Sequence, residues 1–596
     1  MRSVSPLLSF LFFGLLVMTI RFVLVPITLF ISLFLTVSSP LAQQADLILH
    51  RGKIVTVDAK FSIAEAVAVK SGRIVKVGSD REILQLKGPH TQTVDLGGKA
   101  VLPGLMDSHV HPADACLTEF DHPIPEMETI QDVLDYIQRR AAVVKEGEWI
   151  QLRQVFITRL REQRYPTKEE LDRAAPKHPV AFSTGPDASL NSLALKLSGM
   201  DRDFKVTDGG PGYIEKDPAS GEPTGILRSC TRFVKSRPSG RQPNKEDRKQ
   251  RLLELLDDYL ATGFTSICDR DASEDEIQQY RELHRDGKLK LRVSLSQHIE
   301  TIGPMEDIQR NIRRVAGDPL VKGGDWLKII GIKTYLDGGM LTGSAYMLAP
   351  WGVSKIYSIT DPQYRGVLLI PRERLLPIVK TTLESGLQFT AHSVGDGAVH
   401  SLLDVYEELN KTRPIKQNRP CITHSNFMSQ DAVRKLAQLG VVVDIQPAWL
   451  YLDTRTLVGQ FGYDRLRFFQ PLRSIFEGGG IAGGGSDHMQ KIGSLRSVNP
   501  YNPFLAMWVT VTRQAKGYDG ALHPEEALTR EQAIRFYTRN NAYILFQEKQ
   551  TGSLEAGKLA DLIVLDTDIL TCPVDDIRKT QVLQTYVAGK MVFERK

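Results

Sequence analysis

The sequence predicts an α/β fold: a (β/α)8 TIM-type barrel with an insertion after its first strand and a small composite β-sandwich built from both chain ends. Three observations predict it. Short apolar strands alternate with helical stretches through the middle of the chain, the pattern of a parallel sheet. There are eight such strands, the number at which this sheet closes into a barrel. Both ends read instead as short strands separated by tight turns.

In chain order, residues 1–42 come first. Arg2 and Arg21 are their only charges, and Phe22 to Val37 is almost wholly apolar. Ser38-Ser39-Pro40-Leu41-Ala42 then precedes Gln43, which reads as a cleavable export signal and an exported, periplasmic or extracellular protein. A complete signal already begins at Met18, so Met18 is the expected start. The alternative is an uncleaved membrane anchor, with the membrane touched through this segment alone. Residues 43–102 follow as small strands: Ala66-Val67-Ala68-Val69 and Ile74-Val75-Lys76-Val77 flank a Ser71-Gly72 turn. Residues 548–596 have the same texture, with Leu562-Ile563-Val564-Leu565 and an Ala588-Gly589 turn.

Residues 103–547 form the expected barrel. Its strands are placed around 105–111, 264–269, 290–296, 327–334, 387–392, 420–424, 441–445 and 481–487. The gap between the first two is longer than one helix needs, so an insertion with its own structure is expected at about 117–240. Glu246 to Ala261 carries leucines at helical spacing opposite charged residues, a core-facing helix.

Composition narrows the function classes. Apolar residues make up 42% and charged residues 24%, ordinary for a soluble globular chain. A net charge of +5, two units of it in the leader, is too mild to attract nucleic acid, and no basic run with interleaved aromatics is present. A small-molecule substrate is the expected partner. Cys116, Cys230, Cys268, Cys421 and Cys572 are scattered without zinc-ribbon spacing and read as mostly buried thiols.

Chemistry collects at strand ends. The first strand ends Asp107-Ser108-His109-Val110-His111-Pro112. Alternate strand residues share a face, so His109 and His111 can converge on one ion, and Pro112 stops the strand beyond them. Strand five ends at His392, strand six at His424, strand eight at Asp487, and strand four carries Lys333. Four imidazoles and a carboxylate at the C-terminal rim suit zinc or a similar divalent ion. A lysine aimed into such a site is unfavourable unless paired or modified.

These motifs resemble the amidohydrolase superfamily, in the amidohydrolase-3 branch that includes proteins like N-substituted formamide deformylase. The resemblance rests on Val101 to His111, on Gly552 to Leu562, on Gly221 to Leu227, on Gly263 to Ser266, on Ile332-Lys333 with Asp337-Gly338, and on His392 to Asp396. It implies a metal-dependent hydrolase of carbon–nitrogen bonds other than peptide bonds, with one or two ions per chain. It implies that His109 and His111 hold one ion, that His392 and His424 hold the second, and that carboxylated Lys333 bridges them. Asp487 would be both ligand and catalytic proton carrier, and Asp337 and His488 would meet substrate. Lactone, ester or phosphoester hydrolysis on the same site is the alternative, as is an exported metal-binding protein on a decayed scaffold.

Two segments depart from the branch. Gly338 to Ala345 lacks its arginine, and Gly185-Pro186-Asp187-Ala188 lacks its histidine. The leader generates the first prediction: the exported protein begins at Gln43 by N-terminal sequencing, and a mature terminus before Phe22 overturns cleavage.

Overall fold

Eight parallel strands form one sheet in chain order: β1 (Leu105–Val110), β2 (Phe264–Ala272), β3 (Arg292–His298), β4 (Leu327–Tyr335), β5 (Gln388–Ser393), β6 (Cys421–His424), β7 (Val442–Ile445) and β8 (Ile481–Gly484). The computed structural model describes residues 44–153, 155–184 and 187–596. The leader at 1–42 and the Gly185-Pro186 step read from the sequence lie outside the described residues. Among the described residues no helix is long and apolar enough to cross a membrane.

The sheet closes by an unusual seam. Strand β8 ends at Gly484, three residues before Asp487, where the sequence had suggested a strand running to Asp487. The following residues turn to β1: Asp487 N–H donates to the His109 carbonyl at 2.8 Å, and His111 N–H to the His488 carbonyl at 2.9 Å. Gly485 makes this approach possible, and Gly483 lets the helix beside the strand end come close. A Cβ at Gly485 would lie 2.8 Å from the His109 Cβ, and one at Gly483 would lie 2.0 Å from the Asn541 side chain. Side chains larger than hydrogen are excluded where the last strand meets the first.

The insertion between β1 and β2 holds a five-stranded sheet, in the order Tyr213–Lys216, Pro223–Arg228, Asp187–Leu190, Val180–Thr184, Ile150–Arg153. The chain ends supply two further sheets. One contains strands from residues 47–95 only; the other joins Lys53–Val55 and Ala100–Pro103 to Leu562–Leu565, Val582–Val587 and Lys590–Glu594. Leu49, Val67 and Val69 from the first pack with Ile54, Val101 and Leu562 from the second in one apolar layer. Ser71-Gly72 and Ala588-Gly589 both have positive φ at the two turn residues, as tight hairpins require. The helix Lys245–Ala261 is capped by Asn244 and buries Leu252, Leu255 and Leu256. All five cysteines are unpaired, and four are buried.

The segment Gly552 to Leu562, read from the sequence as part of the family resemblance, acquires a physical reason in Asp561. Arg292, at the start of β3, grips the Asp561 carboxylate with two bonds of 2.6 and 2.8 Å, and both side chains are almost wholly buried. Asp561 also accepts the Ala588 N–H at 2.8 Å, so one carboxylate joins barrel to terminal sheet. Removing one partner strands a buried charge, at a cost of about 3–5 kcal/mol. Arg292→Ala or Asp561→Ala is therefore expected to lower unfolding free energy by that amount in urea titration, while the R292M/D561L pair recovers most of it. Additive losses in the double variant would refute the clamp.

Candidate metal centre

At the C-terminal rim, the His109 Nε2, His111 Nε2 and Asp487 Oδ1 atoms form a triangle with sides of 3.1, 3.2 and 3.4 Å. Ligands of a tetrahedral ion with bonds of about 2.0–2.1 Å stand about 3.3 Å apart, so the triangle fits a zinc-like ion. His109 Nδ1 donates to the Asp444 carboxylate at 3.0 Å, leaving Nε2 as the lone-pair nitrogen. Burial, reinforced by the nearby Lys333 ammonium, holds the His109 imidazole well below its ordinary pKa and therefore neutral. At His111 burial again opposes charging, but the Asp487 carboxylate outweighs it and raises the pKa.

Two further imidazoles adjoin the triangle. The His424 ring stacks on His109 with centroids 5.0 Å apart and meets His392 edge-on at 4.5 Å. Each has one nitrogen committed. His424 Nδ1 donates to Gln446 Oε1 at 2.8 Å, leaving Nε2; His392 Nε2 donates to the Gly338 carbonyl at 3.3 Å, leaving Nδ1. Burial and the Lys333 charge push His392 down to about 3. Lys333 itself is 1% exposed, with its ammonium 4.9 Å from the Tyr335 ring centroid. Among the described residues it forms no salt bridge or hydrogen bond.

The backbone is strained where it presents these groups. His424 has φ of 77° and Asp487 of 53°, in the left-handed region that residues other than glycine rarely adopt. Such conformations cluster at functional sites because surrounding structure must enforce them. Here Asp107 does so: its Oδ1 accepts the His109 and Ser486 N–H groups, both at 3.0 Å. Asn499 fastens the Asp487 carbonyl at 2.9 Å.

The six rim residues line one cavity of about 350 Å³, together with Tyr335, Trp449 and residues of the insertion. A model of the amidohydrolase family matches residues 92–593. The chain belongs to the amidohydrolase family. Among relatives, it is 28% identical to N-substituted formamide deformylase of Arthrobacter pascens, over 93% of this chain and 99% of that one. It is 27% identical to the protein LONG AFTER FAR-RED 3 of Arabidopsis thaliana, over 94% and 93%. The fold is similar to that of an uncharacterized metal-dependent hydrolase from Pyrococcus horikoshii OT3, with a TM-score of 0.63, 21% identity, and coverage of 89% and 99%.

On this amidohydrolase frame, two sequence expectations change. His488 is not among the cavity-lining residues: Tyr259 hydroxyl approaches its Nδ1 at 2.7 Å, and the Gln490 and Lys491 carbonyls accept from Nε2 at 2.7 and 2.8 Å. The ring is a buried strut, because its backbone pairs with β1 and turns the side chain away from that of Asp487. Asp337 does line the cavity, but the N–H groups of Tyr346, Val394 and Gly395, all at 2.9 Å, engage its carboxylate. It braces the rim rather than offering a free charge to substrate.

Two supporting residues, Asp444 and Arg270, escaped the sequence reading. Asp444 Oδ1 accepts from both His109 and Gln446, and its Oδ2 lies 3.5 Å from the Arg270 guanidinium inside the barrel. Their signal was present: Asp444 is a lone carboxylate in Val442-Val443-Asp444-Ile445, and Arg270 is the one guanidinium of β2, set between Asp269 and Asp271. Purified protein is expected to carry about one to two divalent ions per chain by mass spectrometry. Asp444→Asn, which weakens the hold on His109, should loosen metal binding by about 10–100-fold. A metal-free wild type, grown with zinc supplied, would overturn the assignment of this site.

Proposed function

We propose that the protein is an exported hydrolase that cleaves a carbon–nitrogen bond other than a peptide bond, in an amide, N-formyl or cyclic amide substrate of small size. The observation that carries this reading is the convergence of the His109 and His111 Nε2 atoms and the Asp487 carboxylate on one point in the rim cavity. His109, His111 and Asp487 would hold one ion, and His424 with His392 offers a second pair of lone-pair nitrogens. Zinc is the favoured ion for such a donor set. A divalent ion there supplies Lewis acidity toward a carbonyl oxygen and acidifies water toward neutral pH.

Buried Lys333 supports carboxylation of its amine. The ammonium would first lose one proton to give the amine, and addition of carbon dioxide to the amine with loss of a second proton would leave an anionic carbamate as an oxygen donor. This removes the cost of an isolated charge and neutralises part of the positive site.

Asp487 is the proton carrier in this reading. Its carboxylate accepts a proton from water as the water attacks the carbonyl, then returns it to the departing nitrogen. The Asp107 and Asn499 bonds that fix its backbone hold this carboxylate in place beside His111. Neutral His109, His392 and His424 leave the protonation change to Asp487.

Asp487→Asn and His109→Ala, made separately, should each reduce amide turnover by at least about 1,000-fold while far-UV circular dichroism stays near wild type. Retained turnover in both variants would remove the assignment.

A further inference from the structure

We propose that the substrate is an uncharged amide bearing a compact aryl group, and that a carboxylate on that group is rejected. This rests on the amide-hydrolase reading above and names its substrate class. Beyond the metal-binding side, the cavity wall is made by Phe156, Met340, Leu341, Leu369, Trp449 and Met489. Phe156 and Trp449 offer aromatic surface, and the methionine thioethers suit the edge of a ring. A volume of about 350 Å³ lies near the low end for ligand cavities, so the group is compact.

The polar groups in this wall are already engaged. Charged lining residues other than histidine are Lys333, Asp337 and Asp487. Lys333 and Asp487 belong to the metal side, and three backbone N–H groups engage Asp337. The Tyr335 hydroxyl donates to Asp271 at 2.6 Å, and the Thr342 and Ser344 hydroxyls bond each other at 2.8 Å.

Among the described residues, Arg159 of the insertion lies over the Phe156 ring at 4.8 Å and is engaged by Asp453 at 3.0 Å and Asn499 at 3.3 Å, and Arg228 of the insertion also faces inward. Arg228 is buried and donates to Glu215 at 2.9 Å, to Asp187 at 3.3 Å, to the Tyr165 hydroxyl at 3.2 Å, to the Thr342 carbonyl at 2.7 Å, and to the Tyr357 carbonyl. It fastens the segment that presents Met340 and Leu341, and its guanidinium is turned toward partners inside the protein rather than being among the cavity-lining groups. An anionic substituent placed here loses its water and gains no partner, while a ring loses water favourably.

The test compares matched pairs on metal-loaded protein: acetanilide against 4-acetamidobenzoate, and benzamide against 4-carbamoylbenzoate. In the faster pair the neutral member is expected to have a kcat/KM at least about 100-fold higher. A gap under tenfold, or a preference for the anion, overturns the proposal. If no member is hydrolysed, the hydrolase reading fails by itself, and calorimetric binding decides the substrate class: neutral members binding at least tenfold tighter sustain it, and equal or absent binding refutes it. Met489→Arg, at a half-buried position of the wall, should narrow the neutral-to-anion gap at least tenfold with metal content unchanged. An unchanged gap in that metal-replete variant counts against the wall as the source of selectivity.

Discussion

One buried carboxylate holds the barrel and its chemistry together. Asp444 is fully enclosed, yet it accepts from His109 and Gln446 at 3.0 Å each and from the Thr423 hydroxyl at 3.0 Å, with Cys421 and Arg270 at 3.4 and 3.5 Å. A charge so placed is tolerable only when saturated by partners. Arg270 is equally enclosed, and it also bonds the Ser108 carbonyl, Ser296, Gln388 and Thr390. This pair and its partners thus tie together β1, β2, β3, β5, β6 and β7. The imidazole that anchors the metal triangle is positioned by the same charge that makes the barrel interior polar beneath it.

Much of the barrel was legible because strands and helices leave local marks. Eight apolar runs separated by amphipathic helices become eight parallel strands, and strand alternation puts His109 and His111 on one face, a weak sign that gains meaning from the groups at the other strand ends. The last strand was read too far: Gly483-Gly484-Gly485-Ser486-Asp487 continues the extended look of its neighbours, but the chain leaves the sheet after Gly484 to pair with β1. That turn is decided by contacts with residues hundreds of positions away. His488 was misread for the same reason, since adjacency to Asp487 says nothing about which way a left-handed backbone aims the next side chain. Asp444 and Arg270 needed each other to be understood, and their pairing is a property of closure rather than of either strand.

The insertion gives the amidohydrolase frame its individuality. Phe156 and Thr184 reach the cavity from it, while Arg228 braces a barrel segment against it. Arg159, also in the insertion, bonds Asp453 at 3.0 Å and Asn499 at 3.3 Å, and Asn499 holds the Asp487 carbonyl. Wall and floor of the cavity are therefore mechanically connected. The rim residues lie on or just after the barrel strands, and the added sheet supplies part of the wall above them.

The seam between the first and last strands has a consequence for the order of assembly. His109 and His111 lie on β1, whereas Asp487 follows β8, so the donor triangle spans nearly the full barrel sequence. No partial barrel, whether a nascent chain or an intermediate missing its last strand, contains the triangle. Bringing together residues this distant is entropically late in folding. An ion caught there acts as a clasp on an already formed ring, binding the closed state and not the open one, and its capture marks the moment at which the chain has found its topology.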